Sequence, residues 1–526
     1  MTSSPTYGEQ PVHKPGHVFV LHASLTDLAC DLALIPTARD MYVEPYWGRY
    51  RPGPSGPSDQ DVGPARATLA RDGRVGDLVP ACEGRPAFRY VDVGLGSRPM
   101  EGSYRDWALR WLDEGVAAAL AAVHDDVGAR RLDADRERPL VAVPALGTGY
   151  GGFDAVRGEV TAQLLRRCEQ AVQKGAFDIA IVCLHRSDFA YLQSLRTEDG
   201  AEHLTPEEQD SAASLGALAA SGRLSLFLGA GVSKAAGVPD FQQLISKVGL
   251  ALGHPQRPAT AAEAASAAAT LITAVGDEAF TEAVEAALGG SDAALLHGLL
   301  ASSRASSVMT TNFDTLFERS ARVTFEHAPG PDVLPWERER RSPWLLKMHG
   351  SVGRPGRLVI TSEDLRTFNA AERPLASVVQ SQLLLNDVLF VGYSLRDPNV
   401  QELAAEVRAL LHRLGHVDQE LGTVLAIEPL GELGAKLNDS LHVIDLSQGE
   451  QGQMKAAARR LEIFCDVMLW HATRYEPAWQ LDPRYAAVGP DLQFREELRA
   501  LDVPDGAAWQ SLREALAAYG LGRRPG

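Results

Sequence analysis

Four short segments between residues 224 and 398 end in residue types suited to handling a nucleotide. They read LSLFLGAGVS (Leu224 to Ser233), TTNFD (Thr310 to Asp314), KMHGS (Lys347 to Ser351) and VGYSLRDP (Val391 to Pro398). Each is a short apolar run that passes into a polar or glycine-bearing turn. That is the pattern of a buried strand whose end opens on the ligand crevice of an α/β sheet. Gly229, Ala230 and Gly231 make a tight turn in which backbone can approach a pyrophosphate. Val232 and Ser233 then open a helix whose first N–H groups would face an anion. The spacing is not G-x-G-x-x-G, because position 234 is Lys and the next glycine is Gly237. The loop by itself therefore also describes an ordinary strand-to-helix turn.

The other segments carry polar side chains to the same sheet edge. Thr310, Thr311, Asn312 and Asp314 crowd the end of one strand, with Asp314 also a candidate helix cap. His349 ends the apolar run PWLLKM and stands directly before Gly350. Gly392, Ser394 and Asp397 follow the run DVLFV. Asp240 precedes Phe241 and the helical stretch FQQLISKVGLAL; with Gln243 three residues on, it suits a capping box as well as a ligand contact.

The elements that position these groups form part of a longer chain. At 526 residues the length suggests roughly three domains. Residues 1–15 read as a tail. Residues 16–195 alternate strand-like and helical runs, including the βαβ order LVAVPAL, VRGEVTAQLLRRCEQAV, DIAIVCL, which predicts a partly parallel sheet. The charged stretch 196–212 reads as a linker, 213–446 holds the four motifs with an Ala-rich helical insert at 259–302, and 447–526 is helical. A net charge of -17 opposes a general grip on nucleic-acid phosphates. The five cysteines lie apart with no C-x-x-C pair, which suits free thiols in a reducing cytoplasm. No apolar run approaches the roughly 18 residues of a membrane span, and the first residues lack a signal peptide's apolar region.

The motifs GAGVS…GVPDF, TTNFD, KMHGS and GYSLRDP, with LVITSEDL (358–365) and LLHGLLAS (295–302), resemble the sirtuin-like domains of bacterial anti-phage NAD hydrolases. The resemblance implies a Rossmann-like parallel sheet with a helical insert. It further implies that the glycine loop cradles the NAD pyrophosphate and that Asn312 and His349 flank the nicotinamide ribose as the catalytic pair. Gly229, Ala230, Gly231, Ser233, Asp240, Phe241, Thr311, Asp314, Gly392, Ser394 and Asp397 would then hold NAD. Sirtuin deacylases carry a four-cysteine zinc ribbon, whereas no cysteine lies between Cys183 and Cys465. A structural zinc site needs four such ligands, so no metal is expected and a peptide-lysine substrate is disfavoured.

Upstream, VAVPALGTGYGGFDAVRGEV runs from a strand through Gly147, Thr148, Gly149, Tyr150, Gly151, Gly152 and Phe153 into a helix. This geometry suits an anion, and equally a flexible glycine-rich loop. The segment resembles the diphosphate loop of macro domains, three-layer α/β folds that bind ADP-ribose. Ser24 stands where that family usually has an adenine-binding Asp, and Arg39 where a catalytic-type Asn would lie. Binding of a signal nucleotide such as ADP-ribose or a cyclic relative is thus expected, and hydrolysis of ADP-ribosyl groups is not. The whole reads as a cytoplasmic NAD hydrolase of Thoeris-effector type, triggered through its N-terminal domain. Homo-oligomerisation through the Ala-rich or C-terminal helices is expected. The alternatives are a non-catalytic NAD or ADP-ribose module, and an NAD-dependent deacylase or ADP-ribosyl-transferring enzyme.

Overall fold

Two parallel sheets share one hydrophobic core. The computed structural model describes residues 15–71, 73–94, 103–129, 136–149, 152–197, 202–324, 344–353, 358–371, 373–393, 398–428, 441–448, 453–485, 492–504 and 506–521. The first sheet comprises β1 (Val18–His22), β2 (Leu32–Thr37), β3 (Ala87–Asp92), β4 (Leu140–Pro144) and β5 (Asp178–Cys183), in the order β1-β5-β4-β2-β3. All its pairings are parallel. Continuous apolar strands such as VFVLH and LVAVP suit a sheet covered on both faces. Helices Tyr104–Gly128 and Arg157–Lys174 pack against each other beside it.

The second sheet comprises β6 (Leu224–Leu228), β7 (Ser307–Thr310), β8 (Trp344–Lys347), β9 (Asp387–Val391), β10 (Thr423–Ala426) and β11 (His442–Asp445). Its order, β11-β10-β9-β6-β7-β8, is again parallel throughout. Counted from its own first strand it runs 3-2-1-4-5-6, the dinucleotide-binding order. The chain reverses direction across the sheet between β6 and β9. The crevice of such a sheet opens there, beyond the strands' carboxyl ends. The Ala-rich helices Ala261–Val275 and Asp277–Leu288 pack with Phe241–Ala251 around Leu244, Val248, Leu271 and Phe280, so their small apolar faces are spent inside this chain.

Helix Met454–Thr473 is buried along most of its length and joins the two halves. It packs on helix Pro206–Ala220, on β1 and on helix Leu295–Ser302. Gly216 permits the closest approach, because a Cβ there would lie 2.5 Å from the His471 Cβ. The helix carries its charges into the core already paired. Arg459 grips Asp178 through two bonds of 2.8 Å. Asp466 accepts from Arg196 at 2.5 and 3.1 Å and meets His17 Nε2 at 2.8 Å. Burial alone would raise both carboxyls. The guanidinium of Arg459 holds Asp178 below its ordinary value, and Arg196 with His17 does the same for Asp466.

One expectation is corrected here. The stretch 196–212 is not a free linker, since Arg196, His203 and Leu204 are buried and a helix begins at Pro206. Two of its charges are partnered in the fold: Arg196 holds Asp466, and Glu208 closes a capping box with Thr205 and receives Arg460 at 3.1 Å. The described part of 447–526 is largely helical, and its helix Met454–Thr473 lies in the shared core. Among the described residues no helix is long and apolar enough to cross a membrane.

Removing one partner of a buried pair strands the other charge. Asp466→Ala should lower unfolding free energy by about 3–5 kcal/mol, read from urea denaturation midpoints. A loss below about 1 kcal/mol would show that Arg196 and His17 find other partners.

Candidate functional site

The ends of β6 and β9 interlock through backbone. Gly231 N donates to Gly392 O at 2.8 Å and Gly229 N to Val391 O at 3.0 Å. A Cβ on Gly229 would lie 2.4 Å from Gly392 O, and one on Gly392, whose φ is +61°, would lie 2.4 Å from Val232 N. These glycines are thus required first by strand-end packing. The helix after them spans only Gly231–Lys234. Val232 N donates to Gly229 O and Ser233 N to Ala230 O, each at 3.1 Å. The expected row of free amides is therefore largely engaged within the turn.

Polar side chains from three elements meet beneath this loop. Asn312, just beyond β7, donates from Nδ2 to Gly229 O at 3.1 Å and reaches Ser233 Oγ at 3.4 Å. Its own N–H donates to Thr310 Oγ1 at 3.0 Å, and that hydroxyl donates to Leu228 O at 2.8 Å. Ser233 Oγ donates to Asp314 Oδ2 at 3.0 Å, while Asp314 Oδ1 accepts from Leu316 N at 3.1 Å. Asp314 thus caps the following turn and also joins the site. Thr311 is half-buried at the same strand end.

His349 lies beyond β8, 5% exposed, with its ring against Phe368 edge-on and Phe313 tilted at centroid distances of 5.6 and 6.5 Å. Its carbonyl accepts from Val359 N at 3.0 Å, which ties the loop down. Lys347, at the end of β8, buries its ammonium against Glu318 Oε1 at 3.0 Å and the Asp314 carbonyl. Asp240 acts as helix cap, exchanging bonds of 2.9 and 3.1 Å with Gln243, and Phe241 packs on the insert's core. Ser394 and Asp397 lie outside the described residues.

One member of this cluster escaped the sequence reading. His297, on helix Leu295–Ser302, is 1% exposed and its Nε2 lies 3.2 Å from Ser233 Oγ. Its Nδ1 accepts from Ala294 N at 3.1 Å, so the neutral ring carries its proton on Nε2 and donates to the serine. Burial pushes this imidazole down to about 4, against the pull of the Asp314 carboxylate. The available signal was a lone polar residue inside the otherwise apolar run LLHGLLAS.

In the first sheet, Gly147 has φ +80° and a Cβ there would meet Phe153 at 2.7 Å. Gly152 has φ +82°, and its carbonyl accepts from Tyr104 Oη. Arg157 Nη1 donates to Thr148 O at 2.6 Å and its other nitrogens hold Asp188 at 2.8 and 2.5 Å. Tyr485 donates to Asp188 Oδ1 at 2.5 Å, so the C-terminal segment braces the base of this loop. Gly149 is exposed, and Tyr150 and Gly151 lie outside the described residues.

Residues 306–429 match the model of the SIR2-like domain, a span that includes Asn312, Asp314, His349 and Gly392 and begins after the glycine loop. The chain is 28% identical over 123 residues to the NAD(+) hydrolase ThsA of Bacillus cereus, covering 22% of this chain and 25% of that one. It is 29% identical over 122 residues to the Enterococcus faecium protein of the same name, at the same coverages of 22% and 25%. The match thus spans a quarter of the length of these relatives. The N-terminal part is similar to a macrodomain of Oceanobacillus iheyensis solved with ADPR, at 13% identity and TM-score 0.23 over 34% of this chain and 89% of that one. The same macrodomain with ADP gives 14% identity and TM-score 0.21 over 34% and 87%.

The neutral His297 has a consequence for stability. The unfolded chain takes up a proton near pH 6.5 that the folded ring refuses until about pH 4. Its contribution is complete above pH 6.5 and is lost as pH falls towards 4. The drop in unfolding free energy between pH 7 and 4.5 should be smaller in His297→Gln than in the wild type by about 2–3 kcal/mol. Equal drops in urea denaturation would show that the ring is protonated in the native state.

Proposed function

We propose that this protein is an NAD hydrolase that cleaves the nicotinamide–ribose bond, giving nicotinamide and ADP-ribose. The carrying observation is the convergence of Asn312, tied to the glycine turn, with Ser233 and Asp314, next to the neighbouring strand end that carries His349, at the carboxyl edge of a 3-2-1-4-5-6 sheet. The SIR2-like match over the same strands and the curated relatives named as NAD(+) hydrolases support it. Gly229, Ala230, Gly231, Ser233, Thr311 and Gly392 are assigned to NAD, with Phe241 closing the insert's side. Asp240 contributes chiefly through the cap it forms.

In this reading the bond from C1′ to the pyridinium nitrogen breaks with its electron pair passing to nicotinamide. The ribose gains oxocarbenium character in the transition state. Water adds at C1′ and its proton passes to His349, which returns it to solvent. Asn312 commits Nδ2 to the protein, so its Oδ1 is the atom that orients the water or the carboxamide. Asp314 holds the ribose side of the pocket. The chemistry draws on these side chains, with no metal assigned a part.

The biological setting that fits is a bacterial defence effector that depletes NAD once a nucleotide signal, such as ADP-ribose or a cyclic relative, acts through the N-terminal domain. Gly147, Thr148, Gly149, Gly152 and Phe153 are the described candidates for its diphosphate. Direct packing of the two halves supports control across the interface.

Purified protein given NAD and a panel of cyclic ADP-ribose isomers should release nicotinamide. Asn312→Ala and His349→Ala should each reduce that rate by at least about 100-fold. Undiminished turnover in both variants would overturn the site assignment, and tight NAD binding without release under every activator would favour a sensing role.

A further inference from the structure

We propose that His297 is a positioning residue for the nucleotide site, setting Asn312 and Asp314 through the Ser233 hydroxyl. The inference rests on the reading of residues 229–233, 312–314 and 349 as an NAD pocket. Ser233 Oγ has one proton and two lone pairs. It gives the proton to Asp314 Oδ2 at 3.0 Å and accepts from Asn312 Nδ2 at 3.4 Å and from His297 Nε2–H at 3.2 Å. That distribution holds only if His297 donates. A side chain that did not donate there would leave the hydroxyl free to turn away from the carboxylate, so that Asp314 keeps only Leu316 N–H and the Asn312 amide only Gly229 O to set its position.

The direction of the donor is fixed from behind. Ala294 N–H occupies Nδ1, which leaves the neutral ring a single tautomer. Burial keeps the ring neutral. The helix that carries it is itself clamped by the N-terminal half. Ser302 Oγ accepts from His22 N at 3.1 Å, and a Cβ on Gly298 would lie 2.5 Å from Leu21 Cδ1. Just before the helix, Ala293 exchanges two backbone bonds of 2.8 Å with Asp27 and Ala29, and Asp292 pairs with Arg49 at 2.5 Å. His297 therefore stands where the first sheet's contacts end and the pocket's contacts begin.

Two substitutions separate this role from simple capping of the helix. His297→Asn keeps an acceptor near the Ala294 amide but ends short of Ser233. His297→Gln is a usual partner at this third helical position and extends an amide donor towards the serine. Nicotinamide release from NAD and calorimetric NAD affinity are measured on the full chain for the wild type, H297N and H297Q, with N312A in parallel. H297N should lose about 10- to 100-fold in kcat/KM and weaken NAD binding about tenfold, because small misplacements in a site cost rates of that order. H297Q should stay within about threefold of wild type in both. Both should melt within a few degrees of it. Should H297N not fold, H297S takes its place as the short acceptor.

Equal values for the short and the long variant would overturn the role given to His297. If the wild type releases no nicotinamide, the affinities of the same pair decide. A wild type that neither binds nor cleaves NAD, or an N312A as active as wild type, sinks the pocket reading itself. A dead N312A beside an H297N of wild-type activity and affinity sinks only the relay.

Discussion

The fold depends on charges that must enter the core in pairs. Helix Met454–Thr473 could not be buried carrying Arg459, Glu462 and Asp466 alone, since an unpaired ion in a low-dielectric interior costs several kcal/mol. Each is met by a residue from the first half of the chain: Arg459 by Asp178, Glu462 by Arg136, Asp466 by Arg196 and His17. The helix therefore seats in one register only. Once seated, it places β1 and helix Pro206–Ala220 on either side of itself and brings the two sheets into a single core.

This arrangement explains why helix Leu295–Ser302 has no solvent face. All eight of its residues are buried. One side meets β1 and the central helix, and its amino end delivers His297 to Ser233. A packed helix of this kind moves as a body if it moves at all. The 24–31 loop is joined to Ala293 through backbone bonds, just before the helix that carries His297 to the serine hydroxyl.

The four strand ends were legible because their signal is local. A short, largely apolar run followed by glycine or a polar turn suffices to mark a strand opening on a crevice, and β6, β7, β8 and β9 all carry it. Their order in the sheet, and the use of Gly229 and Gly392 against each other, were not local and could not be read. The stretch 196–212 was misread for the same reason. Its charges look solvated until Asp466 and Arg460, some 250 residues away, are placed against Arg196 and Glu208. His297 was hidden inside a helix whose apolar pattern announces core and nothing else. The roles written for Ser394, Asp397, Tyr150 and Gly151 fall outside the described residues.

The electrostatics of the pocket follow from which charges are already answered. Lys347 lies against the 313–318 turn, yet its ammonium is committed to Glu318 and to backbone carbonyls. His297 is held neutral by burial. The Asp314 carboxylate, by contrast, is held by Ser233 Oγ and Leu316 N–H, which are neutral donors. A hydroxyl and an amide orient a carboxylate without cancelling its charge. The neutral tautomer of His297 donates to Ser233 without placing a cation beside Asp314. The segment that enforces it, the turn from Ser291 to Ala294, is the one the N-terminal half holds.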